Sequence, residues 1–163
     1  MISHGKVSAI LPTCAAAVMA FGSMAMAAPA HASGDEGGAV LNQINATRAA
    51  NGCGPVAPNP QLTASAARHA NDMLATGVQA HTGSDGSSVV QRVTDAGYTS
   101  FKDLGEIVFW ANGPGGSPAA AVNWWMNSPG HRAVITNCGL TDAGFSAVRS
   151  GSMLTVTGDF ATR

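Results

Sequence analysis

Hydrophobic residues recur at helical spacing in four segments of this 163-residue chain. From Ala39 onward, Val40, Leu41, Ile44 and Ala49 line one side of a helix, leaving Asn42, Arg48 and Asn51 for water; Asn51-Gly52 ends it. A second helix is predicted over residues 61–76 on Leu62, Ala66, Ala70, Met73 and Leu74. His69 lies beside that stripe and reads as a packed core histidine. Ser87 is placed to cap a third helix with Val89, Val90, Val93 and Ala96 inward, ending at Gly97. Pro118 opens a fourth, with Val122, Trp125 and Met126 inward and Trp124 pointing elsewhere. Ser128-Pro129-Gly130-His131 is a further helix start: a serine at the N-cap, proline at the first helical position and an imidazole in the first turn. There the positive end of the helix dipole disfavours protonation, so a neutral ring is available to bind a metal or accept a proton.

Strand spacing appears in three places. Leu104–Ala111 is a dense apolar run that reads as a central strand, with Leu104, Glu106, Val108 and Trp110 on one face. Residues 143–149 and 153–160 alternate, and Ser150-Gly151 makes the hairpin turn between them. The segments between are loops: Gly54–Pro60 is stiffened by three prolines, and His81–Ser87 is turn chemistry throughout. The glycine-rich loop before Pro118 lacks the Lys-Ser/Thr ending of a phosphate loop. Asn45-Ala46-Thr47 matches a glycosylation sequon but falls inside a predicted helix, so it reads as chance. No internal repeat and no second domain are visible.

The N-terminus belongs to another category. Lys6 precedes an apolar run from Val7 to Ala28, and Ala30-His31-Ala32 before Ser33 is an A-x-A cleavage pattern. Residues 1–32 therefore read as a secretory signal, residues 33–38 as a short polar lead-in and residues 39–163 as one domain. No second apolar span follows, so no transmembrane segment is expected in the mature protein. Cleavage leaves two cysteines, Cys53 and Cys138, which in an exported chain read as a disulfide. Closing a loop of that length contributes about 4–5 kcal/mol in the chain-entropy model. Without Lys6, 7 basic residues face 9 acids, a formal charge of −2. With no basic patch, nucleic acid is not an expected partner.

Chemistry concentrates on three residues. Glu106 stands amid apolar neighbours, where a carboxylate must be paired, metal-bound or protonated. His81 starts a turn-rich loop, and His131 sits in the first turn of its helix. The order of elements, together with Trp125-Met126-x-Ser128-Pro129-Gly130-His131-Arg132, Asn42-x-x-Asn45-x-x-Arg48, Asn59-Pro60-x-Leu62-x-x-x-Ala66 and His81-Thr82 with Asp85-Gly86, resembles the secreted bacterial branch of the CAP (SCP-like) superfamily. The resemblance spans about Leu41 to Phe160. It implies an α+β fold, a three-layer α-β-α sandwich with a small antiparallel sheet between helices. It also implies a shallow cleft where His81, Glu106 and His131 meet, with the two histidines, and Glu106 as a further candidate, binding zinc or another divalent cation. Two positions depart from the family pattern: Ile107 replaces the asparagine that usually follows the strand acid, and Asn127-Ser128 stands where a second acid is expected.

Binding is the first functional expectation: a secreted or cell-envelope module whose cleft takes a small apolar ligand or a peptide, with Trp110, Trp124 and Phe109 as candidate wall residues. Metal-dependent hydrolysis by His81, Glu106 and His131 is the second. It lacks a separate base and the His-Glu-x-x-His spacing, and Ser128 is expected to be occupied as a helix cap. A structural role at the cell envelope is the third. A monomer is expected.

Overall fold

The computed structural model describes residues 34–163; the secretory signal expected over residues 1–32 lies outside the described residues. In chain order the elements are α1 (Gly37–Ala50), β1 (Ala57–Pro58), α2 (Pro60–Thr76), α3 (Val89–Asp95), β2 (Asp103–Asn112), α4 (Pro118–Met126), α5 (Pro129–Ile135), β3 (Asp142–Ser150) and β4 (Met153–Thr162). They build the expected α-β-α sandwich around one sheet of order β1-β3-β4-β2. The three long strands are antiparallel, while the short β1, from the proline-rich loop, runs parallel to β3, so the sheet is mixed.

Period-2 alternation divides the sheet into two unlike faces. Ile107 and Phe109 of β2, Val156 and Phe160 of β4, and Phe145 and Ala147 of β3 pack against α1, α4 and α5 around Trp125. The opposite face carries Glu106, Val108 and Trp110, in register with Asp159, Thr157 and Thr155. It is covered by α2, with α3 packed beside that helix. Its apolar cluster is small, centred on Leu62, Val93, Tyr98 and Ala161, and it shares the layer with buried Ser65, His69, Arg92, Thr157 and Asp159. Helix α2 is well delimited: Asn59 caps it by accepting from Gln61 and Leu62 N–H at 3.0 and 3.2 Å, Pro60 follows, and Gly77 ends it at φ 76°. Gly144 lets α2 lie directly on β3. A Cβ there would stand 2.0 Å from the Thr63 nitrogen and 2.2 Å from the Leu62 carbonyl carbon.

The structure corrects four expectations. Strand β2 is an edge strand, and its apolar run reflects burial on both faces together with a covered edge, where Trp125 Nε1 donates to the Val108 carbonyl at 2.8 Å. Helix α3 is capped by Ser88, which accepts from Gln91 N–H at 3.2 Å. That later start turns Arg92 and Val93 inward and leaves Val90 51% exposed. Ser128 occupies the N-cap position of α5 but makes no capping bond; its hydroxyl has another partner, described below. Arg48, expected in water, is 1% exposed. Its guanidinium donates to the carbonyls of Gly54, Ile135, Asn137 and Leu140 at 2.8 to 3.0 Å.

The disulfide joins Cys53 to Cys138, as the cysteine count predicts, and ties down the same segment that Arg48 holds. Asn45 uses its amide within the fold, bonding both the N–H and the carbonyl of Val56, in keeping with an accidental sequon. Among the described residues, no helix is long and apolar enough to cross a membrane.

Candidate functional site

Two buried side chains fix the loop that carries His81. His69 of α2, 0% exposed, donates its Nε2–H to the Ala80 carbonyl at 2.8 Å. Arg92 of α3 donates to the His81 carbonyl at 3.0 Å and to the Ser87 carbonyl at 2.7 Å. The loop also closes on itself, with Gly83 N–H donating to the Ser87 carbonyl at 2.9 Å and Ser87 N–H to Asp85 at 2.9 Å. Gly83 is needed for this close approach, since a Cβ would lie 2.7 Å from both Asp85 Oδ1 and Ser87 Oγ.

Strand β2 brings Glu106 beneath this loop. One carboxylate oxygen accepts from His81 Nδ1 at 2.8 Å and the other from Arg92 at 2.5 Å. The side chains of Glu106 and Arg92 are 2% and 1% exposed, whereas that of His81 is 55% exposed. A buried guanidinium–carboxylate pair thus presents one imidazole to solvent. Helix α5 supplies the facing imidazole: His131 Nδ1 lies 2.8 Å from Ser128 Oγ. His81, Glu106, Ser128, Gly130 and His131 together line an open cleft of about 250 Å³. All three residues expected from the sequence therefore meet at one place.

An aromatic recess of about 130 Å³, lined by Phe109, Trp110 and Trp124, adjoins it. The Trp124 and His131 rings, 4.9 Å apart between centroids, form the shared wall. Trp124, which the helical pattern leaves without a role, is 47% exposed here. Phe109 is buried on the opposite face of the sheet, as its strand position requires, yet still lines the recess, with its ring centroid 6.0 Å from that of Trp124.

Electrostatics set the two imidazoles apart. The hydrogen bond that His81 donates to Glu106 raises the proton affinity of His81, outweighing partial burial. Burial lowers that of His131, and the neighbouring His81 lowers it further. Burial by itself pushes the Glu106 carboxyl up, but His81 and Arg92 outweigh it and hold Glu106 below its usual range. In an NMR titration of the imidazole signals, His81 is expected to have its midpoint above 6.5 and His131 below it. The linkage signs are opposite. The stabilisation from His81 is full below its unfolded value and is lost as pH rises through the raised folded value. The contribution of neutral His131 is full above its unfolded value and is lost as pH falls through the lowered one.

Three participants escape the sequence pattern. Arg92 carries the buried charge that pairs with Glu106, and Asp159 stands opposite Glu106 in the β2–β4 register, 0% exposed. Ser65 lies in the same buried layer. A usable signal exists for these: α2 carries Ser65, Ala66, His69 and Ala70 on its inner side, and such small or polar residues call for a polar partner layer.

The sequence profile described as the Cysteine-rich secretory protein family (CAP) matches residues 41–160. A comparison with curated proteins gives no match. Among solved structures, the chain resembles an outer surface protein from Borrelia burgdorferi at TM-score 0.69 and 20% identity, covering 77% of this chain and 91% of that one. It resembles an extracellular protein containing a SCP domain from Bacillus anthracis at TM-score 0.66 and 21% identity, covering 78% of this chain and 40% of that one. A cysteine-rich secretory protein from Staphylococcus aureus matches at TM-score 0.59 and 17% identity, over 77% of this chain and 37% of that one. At these identities the structural likeness bears on the fold, and the profile match bears on kinship. With a matched segment that runs from α1 into β4, the chain belongs to the CAP, or cysteine-rich secretory protein, family.

Proposed function

We propose that the protein is exported and works by binding, with the cleft between His81 and His131 as its ligand site. The observation that carries this reading is the matched engagement of the two rings: each Nδ1 has a partner, Glu106 for His81 and Ser128 for His131, which leaves each Nε2 for the cleft. A carboxylate behind the Nδ1–H of a histidine is the usual support for a ring that binds through Nε2.

The donor chemistry fits a divalent transition metal such as zinc, held by His81 and His131. Glu106 has both oxygens engaged, so it orients His81 instead of joining the ligands. Among the described residues, no group of three or more His, Cys, Asp or Glu side chains is placed to hold a metal ion. A zinc ion bound by two protein ligands would act as a Lewis acid with positions left for a ligand's own donor atoms. Beside it, Trp124, Trp110 and Phe109 would take the apolar part of a small ligand or a peptide side chain. Calorimetric titration of the disulfide-bonded protein with zinc at neutral pH is expected to show one site, lost in both His81→Ala and His131→Ala. Equal binding by either variant and the unaltered protein would refute the assignment.

One observation favours hydrolysis as a second reading. Ser128 Oγ, free of capping duty, is within 2.8 Å of a histidine that burial keeps neutral, as a nucleophile and its base would be. The two readings need different tautomers of His131: a proton on Nδ1 for binding through Nε2, or a bare Nδ1 to take the proton of Ser128. A serine-directed fluorophosphonate that labels the protein, and fails to label Ser128→Ala, would establish the second.

A further inference from the structure

We infer that Asp159 is the second carboxyl group of the site: a positioning residue that carries a proton in the folded protein and donates it as a hydrogen bond to Glu106. Glu106 thereby keeps a single negative charge for Arg92 and His81. The inference rests on the proposed role of Glu106 in orienting His81, and it places a second acid behind the cleft rather than in it.

The β2–β4 register sets Glu106 and Asp159 directly opposite each other on the face under α2. Side chains so paired have Cβ atoms about 4.5–5.5 Å apart. Asp159 is 0% exposed, and neither of its oxygens has a hydrogen-bond partner among the described residues. The groups around it are accounted for element by element. Helix α2 supplies Ser65 and His69, α3 supplies Arg92, β2 supplies Glu106, β4 supplies Thr157, and β3 offers only Gly144 at the paired position. His69 gives its Nε2–H to Ala80 and is kept neutral by burial. Arg92 directs its terminal nitrogens to Glu106 and to the carbonyls of His81 and Ser87. One fixed positive charge therefore serves two carboxyl groups in a layer closed to water.

Two ionised acids would leave one negative charge uncompensated, and a single proton removes it. The proton belongs on Asp159. Glu106 has a guanidinium and an imidazole to hold its charge, whereas burial, reinforced by the charge of Glu106, pushes the Asp159 carboxyl well above its usual range. Once protonated, Asp159 is a donor toward Glu106; the nearby Ser65 hydroxyl and the Arg92 charge favour the ionised form, but burial and the charge of Glu106 outweigh them. The result bears on His81, whose proton affinity follows the charge carried behind it. One negative charge, rather than two, leaves Nε2 easier to deprotonate.

The test is carbon NMR of the full chain labelled at the aspartate carboxyl carbons, with Asp159 assigned through the backbone. Its signal is expected at the protonated position, unmoved from mildly acidic to mildly alkaline pH; the ionised position at neutral pH would overturn the inference. Asp159→Asn, a neutral replacement that can still donate, is expected to leave the His81 midpoint in place. A fall of about one pKa unit, tenfold in proton affinity, would mean that a charge had been removed and would equally overturn it. Glu106→Gln separates this inference from the reading it rests on. A lowered His81 midpoint in that variant supports the orienting role, and an unmoved one refutes both that role and the positioning assigned to Asp159, even if the carbon signal shows the proton.

Discussion

Replacing Arg92 with leucine is expected to lower folding stability by about 3–5 kcal/mol and to release the loop that carries His81. The side chain is 1% exposed and spans three elements, binding Glu106 on β2 and the His81 and Ser87 carbonyls of the loop. Leucine leaves the Glu106 charge buried without its guanidinium and removes the Arg92 donor from the His81 carbonyl, while the Ser87 carbonyl keeps only Gly83 N–H. Urea unfolding monitored by tryptophan fluorescence measures the loss, and the His81 imidazole signal should broaden or move as the loop frees. Arg92→Lys restores charge but not the planar fork that reaches several acceptors at once, so it should recover only part of the stability. A loss below about 1 kcal/mol for the leucine variant would place Arg92 among surface ion pairs and undo this account of the buried layer.

Arg48→Leu is the second large effect, expected to cost about 4 kcal/mol. Here the partners are four backbone carbonyls, those of Gly54, Ile135, Asn137 and Leu140, and no carboxylate. The bonds to the Ile135 and Leu140 carbonyls are the buried ones and carry most of the desolvation penalty, whereas the Asn137 carbonyl keeps the Leu140 N–H as a donor, so the sum stays below four separate losses. The contrast is Arg149, whose ion pair with Glu36 is 30% and 36% exposed; Arg149→Leu should cost no more than about 1 kcal/mol. Both substitutions remove one arginine from an ion pair or hydrogen-bond set, so a denaturant comparison with the disulfide intact isolates burial as the cause.

These two buried arginines, Arg92 and Arg48, also show where sequence pattern stops being informative. Helical spacing locates α1, α2 and α4, and alternation locates β3 and β4, because apolar residues on one side of an element report directly on its buried face. An arginine inside the same pattern reads as a water-facing residue, since spacing carries no information about partners. Arg48 is satisfied by carbonyls some ninety residues away, and Arg92 by an acid on a different element. Asp159 is hidden for a related reason. Thr155, Thr157 and Asp159 look like the solvent face of an alternating strand, yet α2 covers them with a partly polar inner side. The site itself is more legible than its support. Glu106 stands out among apolar neighbours and His131 at its helix start, whereas a histidine in a turn-rich loop is ordinary; it is the family resemblance that joins His81 to them, and the three line one cleft. Ser128 misleads because a good N-cap residue is expected to cap. Its hydroxyl is instead within hydrogen-bonding distance of the imidazole three residues on.

The binding account centres on the two imidazoles, and their protonation pattern tests it most directly. Long-range nitrogen–proton NMR correlations at mildly alkaline pH report which ring nitrogen holds the proton in His81 and in His131. The account predicts Nδ1–H in both, facing Glu106 and Ser128 respectively, with both Nε2 resonances moving when zinc is added and both Nδ1 resonances nearly still. A bare Nδ1 on His131, paired with Nε2–H and indifferent to zinc, would contradict it and turn attention to Ser128 as a nucleophile.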